Sequence, residues 1–250
     1  MKKQNIILLT LLWCLASCNE DPKVPIEDIF ITFNTENNET DFTADGSTVV
    51  TLIAELPMNS DKQFRSVIFE ADRGSFVENG EDEITKKAEV NVQDQVIAEV
   101  DFLLPTTPGD LNIYAQIELE DKRGRFVETL ALNLTSSEPY SIKLTANSFS
   151  VENNYGNEIE ISGVVANSAG NKVSEGVLVE LEDTDASNVK LSGEFRDESL
   201  KTGSSSQISA KYTPGKITAD QYIYVKAYVM HESGSRTSIK DSVRIYVKPN

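Results

Sequence analysis

The feature that most restricts this chain is a two-residue apolar period, which recurs in short runs from Ile29 onward. Val96, Ala98, Val100, Phe102 and Leu104 are interleaved with Glu99 and Asp101, and Ile113, Ala115 and Ile117 with Asn112, Tyr114 and Gln116. In the second half Ile223, Val225, Ala227 and Val229 face one way, and Val243, Ile245 and Val247 oppose Arg244, Tyr246 and Lys248. Successive side chains of a strand point to opposite faces, so this period marks strands with one buried face. Asp45-Gly46, Asn79-Gly80, Pro108-Gly109-Asp110, Ser168-Ala169-Gly170-Asn171 and Pro214-Gly215 supply turns between the runs. No long stretch keeps a helical period. The pattern predicts an all-β chain made of sandwiches.

The two halves match at an offset of 110 residues: Gly46 with Gly156, Ser66–Glu70 with Gly176–Glu180, Val100 and Phe102 with Ala210 and Tyr212, and Ile113, Ala115 and Ile117 with Ile223, Val225 and Ala227. A tandem duplication follows, with one domain over 29–137 and a second over 138–250. The boundary falls in the polar segment Thr135-Ser136-Ser137-Glu138-Pro139. A short linker with a proline restricts the angle between the domains.

Phe42-Thr-Ala-Asp-Gly-Ser-Thr-Val-Val-Thr-Leu, the apolar strand Val67 to Phe69 and the turn Arg73-Gly-Ser-Phe76 together resemble the bacterial Ig-like domains of invasin and intimin type. Ile159-Glu-Ile-Ser-Gly-Val-Val and Val177-Leu-Val-Glu-Leu follow in the same order in the second half. The resemblance implies two tandem immunoglobulin-like sandwiches and carries over no binding residue.

Residues 1–17 have a different character. Lys2 and Lys3 precede an apolar run from Ile6 to Leu15, interrupted only by Thr10. That run is shorter than the roughly 20 residues needed to span a bilayer, and it reads as a signal peptide. Leu15-Ala16-Ser17-Cys18 resembles the lipobox of bacterial lipoproteins. The resemblance implies cleavage before Cys18, a diacylglycerol thioether on its sulfur, and attachment to a membrane through that lipid. Residues 18–28 then form a tether. Asn19-Glu20-Asp21 lacks an aspartate directly after the cysteine, and its acidic pair resembles the surface-export signal of lipoproteins in the Bacteroides and Flavobacterium group. The expected location is the cell envelope, at the outer membrane and facing outward.

After cleavage 21 basic residues face 40 acidic ones, a formal charge of −19. Such a balance disfavours nucleic acid as a partner. Trp13 and Cys14 leave with the signal, so Cys18 becomes the one remaining cysteine and His231 the one histidine. Cysteine nucleophiles, disulfides and His-pair metal sites are thereby excluded. His231 lies in a turn with no G-x-S-x-G elbow in the chain, so no enzyme is expected.

Two clusters remain as candidates. Tyr222, Tyr224, Lys226 and Tyr228 share the outward face of one strand, where tyrosines offer rigid amphipathic contact area to a sugar or a protein. Asp183, Asp185 and Asn188 sit in an acidic turn of the kind that supplies oxygen ligands to calcium, although the spacing matches no EF-hand. No other cofactor is expected. The sequence therefore points to a lipid-anchored envelope spacer or binding module, adhesin-like or glycan-contacting, with an unidentified protein or glycan partner. The alternative is an accessory subunit docked on an outer-membrane transport or secretion complex.

Overall fold

The computed structural model describes residues 30–60, 62–118, 125–153 and 156–249. Ten strands make the first sandwich: β1 (Thr32–Thr35), β2 (Asp41–Ala44), β3 (Val49–Leu56), β4 (Ser66–Ala71), β5 (Ser75–Phe76), β6 (Glu83–Lys87), β7 (Glu89–Val90), β8 (Val96–Leu103), β9 (Gly109–Glu118) and β10 (Arg125–Ser136). Eight make the second: β11 (Ser141–Ala146), β12 (Ser150–Glu152), β13 (Ile159–Ala166), β14 (Val179–Thr184), β15 (Glu194–Ser199), β16 (Gln207–Thr213), β17 (Gln221–Met230) and β18 (Arg236–Lys248).

The alternation read from the sequence becomes burial. In β8 the pattern buries Val96, Ala98, Val100 and Phe102, and in β17 it buries Ile223, Val225, Ala227 and Val229. Each domain packs one sheet on another. The first pairs the order β1-β3-β8-β5, with β7 also on β8, against β2-β10-β9-β4-β6. The second pairs β11-β13-β16-β15 against β12-β18-β17-β14. The opening stretch of each domain is split between its sheets: β1 and β11 run antiparallel to β3 and β13, while β2 and β12 run parallel to β10 and β18. This is the strand arrangement of an immunoglobulin-like sandwich. Two separate apolar cores result.

Register corrects one part of the repeat. Ile113 and Ile223 hold the 110-residue offset in the central strands β9 and β17, as Phe102 and Tyr212 do in β8 and β16. However, Phe69 lies opposite Ala115, and the residue opposite Val225 is Asp183, not Val179. The structural counterpart of Phe69 is thus Asp183, 114 positions on. Phe76 faces Phe102 and Phe195 faces Tyr212, which makes that offset 119. Leu130 faces Ile113 and Ile245 faces Ile223, an offset of 115. Loops absorb added residues at little cost, whereas a one-residue slip in a paired strand would expose its whole apolar set. The pairing of Ser66–Glu70 with Gly176–Glu180 therefore follows sequence spacing and not the fold.

Thr135 and Ser136, read from sequence as linker, are the last two residues of β10 and pair with Thr43 and Ala44. The domains meet directly. The buried Ser174 hydroxyl donates to the Ala44 carbonyl at 2.8 Å and accepts from the Ser137 N–H at 2.8 Å. The Ser137 hydroxyl donates to the Lys172 carbonyl at 2.9 Å. The Thr106 hydroxyl donates to Glu175 at 2.9 Å, and the Glu175 N–H returns to the Thr106 carbonyl at 3.0 Å. Asn171 reaches Asp45 at 3.3 Å. The bonds among Ala44, Ser137 and Ser174 are buried, and separating groups joined there leaves each unpaired, which favours one orientation; those of Glu175 and Asn171 lie at the exposed edge.

Candidate functional site

Position on a sheet decides what β17 offers to solvent. Tyr222, Tyr224, Lys226 and Tyr228 all point away from the core, and the sheet places them between β14 and β18. Tyr222 is 48% exposed; the other three are half-buried by their neighbours. Across β18, Tyr222 faces Tyr246 and Tyr224 faces Arg244. Across β14, Tyr228 faces Glu180 and Lys226 faces Glu182.

One half of this face is internally neutralised. Arg236 donates to Glu180 at 2.8 and 2.9 Å and to Glu182 at 2.7 Å, with its guanidinium 4.0 Å above the Tyr228 ring. Tyr228 Oη donates to Glu182 at 2.9 Å. The hydrogen bonds from Arg236 hold both carboxyls below the usual glutamate range, and the two carboxylates hold Arg236 above the ordinary arginine value. Lys226 donates to Asn188 at 2.8 Å.

The other half differs. Arg244 lies 4.6 Å over the Tyr222 ring, and the Tyr222 and Tyr246 rings sit 5.2 Å apart at 53°. Tyr246 Oη donates to Asp220 at 2.6 Å. Phe149, 63% exposed, closes one side of an open groove of about 590 Å³ whose base holds Leu144 and Val243. Among the described residues no carboxylate lies within ion-pair distance of Arg244 or Lys240. Sequence reading singled out the tyrosines and missed these cations. The signal was present: Arg236, Lys240, Arg244 and Lys248 recur every fourth residue, and on a strand an even spacing means one face.

The calcium candidates are employed separately. Asp183 is buried, 2% exposed, and points into the core, where its Oδ2 accepts from Tyr212 Oη at 2.8 Å and from the Gly193 N–H at 2.9 Å. Burial first, and then Asp183, push the Tyr212 hydroxyl well above the ordinary tyrosine value. Asp185 closes its own turn, accepting from the N–H groups of Ser187 and Val189 at 2.8 Å each. Asn188, at φ 64°, accepts from Lys226. Among the described residues no three His, Cys, Asp or Glu side chains are grouped to hold a metal ion. His231 is exposed in the β17–β18 turn. The lipobox residues Leu15, Ala16 and Ser17, the acceptor Cys18 and the tether to Asp28 lie outside the described residues.

No protein-family model matches the chain, and no curated protein does. Solved structures do. Invasin, described as a bacterial integrin-binding protein, superposes with a TM-score of 0.53 at 16% identity, over 84% of this chain and 38% of that one. The Yersinia pseudotuberculosis adhesin InvE gives 0.44 at 11% identity, over 87% and 58%. The D0-D1 domain of intimin gives 0.31 at 16% identity, over 86% and 98%. The chain thus spans 38% of invasin and 58% of InvE. At such identity the likeness to invasin establishes the fold alone: tandem immunoglobulin-like sandwiches.

Proposed function

We propose that this chain is a non-catalytic binding module of the cell envelope, anchored by lipid on Cys18, with the outer sheet of the second sandwich as its contact surface. One observation carries the reading: Tyr222, Tyr224, Lys226 and Tyr228 stand side by side on the solvent face of β17. Tyrosine brings a large contact area with few rotatable bonds, so little ordering cost opposes its use in recognition. The fold shared with invasin is consistent with an adhesin-like role. The anchor at the N-terminal end of the chain makes the second domain the membrane-distal one. The hydrogen-bonded junction between Ser137, Ser174 and Thr106 suits a spacer, since it transmits the position of one domain to the other.

The test is a triple variant, Tyr222→Ser, Tyr224→Ser and Tyr228→Ser, of the full chain, compared with wild type on a glycan array and in an envelope pulldown. Loss of the retained glycan or protein, with an unchanged circular-dichroism melt, supports the contact surface. Unchanged retention discards it. Intact-mass analysis of the native product checks the anchor: a diacylated chain beginning at Cys18 is expected, and a chain still beginning at Met1 removes it.

A further inference from the structure

We infer that the groove around Arg244 binds an acidic polysaccharide, laid along β18 with its carboxylates on the cations and its sugar rings against the aromatics. This deepens the proposed function, which assigns the face but not its ligand.

The first point is spacing. Lys240, Arg244 and Lys248 are exposed on one face of a single strand, four residues apart. At 3.2–3.4 Å per residue that is about 13 Å between successive cations. A row of this kind fits a linear polymer whose charges are spread out. A nucleic acid carries a phosphate every roughly 3.4 Å per strand and would leave most of its charge unmatched.

The second point is availability. Arg236, which continues the same row, is occupied by Glu180 and Glu182. Among the described residues no carboxylate pairs with Arg244 or Lys240, whereas Lys248 at the end of the row stands opposite Glu152 of β12, and Arg244 is held over Tyr222. A guanidinium fixed on an aromatic ring keeps its N–H fork for a bidentate acceptor such as a carboxylate.

The third is the wall chemistry. Tyr222, Tyr246 and the protruding Phe149 flank Arg244, giving apolar ring surface beside a cation. A polyanion without rings would use the cations and leave this surface wet. A saccharide unit bearing a carboxylate uses both.

The overall acidity of the chain, −17 by formal count, does not oppose this. At physiological salt the Debye length is about 8 Å, so the charges that count are the near ones: Lys240, Arg244 and Lys248, set against Asp220 on Tyr246 at one end and Glu152 opposite Lys248.

The probe is hyaluronan, which carries one carboxylate per disaccharide, titrated onto the full chain by calorimetry at physiological salt. Its methyl-esterified form, poly-glutamate and oligo(dT) serve as comparators. The expected result is saturable binding of hyaluronan and at least about tenfold weaker binding of the ester, of poly-glutamate and of oligo(dT). The double variant Lys240→Ala, Arg244→Ala should weaken hyaluronan at least about tenfold, as should Ser242→Glu, which sets a negative charge between those two cations. All three positions are exposed, and the thermal melt checks that the variants stay folded. No hyaluronan binding, equal affinity for the ester, poly-glutamate or oligo(dT) binding as tightly as hyaluronan, or unchanged affinity in both variants each overturns the inference. A ligand bound equally as acid and ester, yet lost in the triple tyrosine variant, would overturn this inference and leave the proposed function standing.

Discussion

Phe69 and Phe102 in the first sandwich stand where Asp183 and Tyr212 stand in the second. In the first core Phe33, Phe69, Phe76 and Phe102 form a run of rings with centroids 5.8, 6.3 and 5.1 Å apart. In the second, one ring pair survives, Phe195 on Tyr212 at 4.9 Å, and a carboxylate takes the place of the next ring and binds the new hydroxyl. A glycine opens the space in both. A Cβ on Gly74 would meet the Phe102 ring, and one on Gly193 would meet Tyr212 and Asp183. A buried hydroxyl needs a partner, so Tyr for Phe at one position required a second change across the core. Two changes that would each disrupt a core can therefore coexist in one.

The outer faces diverge as well. Register matches Tyr222, Arg244 and Tyr246 to Asn112, Thr129 and Ala131. The first domain surrounds its one remaining tyrosine, Tyr114, with Glu70 and Asp72, and burial and then these carboxylates raise its hydroxyl above the ordinary tyrosine value. The same scaffold thus carries an acidic face in the first domain and an aromatic, cationic one in the second.

Four measurements test this contrast. The largest effect belongs to the ring cores. Phe76→Ala should cost the first domain about 3–5 kcal/mol in urea unfolding, because a fully buried ring leaves both lost transfer energy and a cavity. Phe195→Ala, at its half-buried equivalent, should cost the second domain distinctly less; equal losses would erase the difference drawn between the cores.

Next comes the polar pair. Tyr212→Phe removes a donor from a buried carboxylate and should destabilise the second domain by about 2–3 kcal/mol. Adding Asp183→Leu should recover at least about 1 kcal/mol relative to the summed single losses, as expected for residues in direct contact. Strict additivity of the two would mean that the hydrogen bond is not what couples them.

The junction is third. Ser174→Ala deletes a donor and an acceptor between Ala44 and Ser137, so about 1–2 kcal/mol of coupling should disappear. Small-angle scattering should then show a broader distribution of inter-domain distances, and an unchanged distribution would contradict a hydrogen-bonded joint.

The smallest effect is acid-dependent. Glu180 and Glu182 have folded pKa values below their unfolded ones, so their contribution is complete above about pH 5 and is lost as pH falls through the lowered folded values. Both side chains are partly solvated, which keeps the contribution under about 1 kcal/mol. The melting difference between wild type and Arg236→Ala, present at pH 7, should close towards pH 3. A difference that stays constant with pH would assign it to lost packing of the arginine on Tyr228 instead.

The sequence alone was enough for the all-β class, the duplication and the outward line of tyrosines, because a two-residue period says directly which side of a strand is wet. The resemblance in Phe42 to Leu52 and Arg73 to Phe76 named the sandwich type, although the second Gly-x-Phe, Gly193-Glu194-Phe195, escaped notice behind its shifted offset. Tertiary structure decided which acidic residues are surface charge and which are core. Asp183 and Asp185 look alike in sequence, yet the alternation of β14 turns the first inward onto Tyr212, while Asp185, just past the strand's end, closes a turn. It also decided where the cationic row is free. Arg236 and Arg244 share one face of β18, and only the pairing of β14 on the far side of β17, which places Glu180 and Glu182 beside Tyr228 and within reach of Arg236, occupies one and leaves the other open. Pairing across strands depends on contacts far apart in the chain, and no local pattern encodes it.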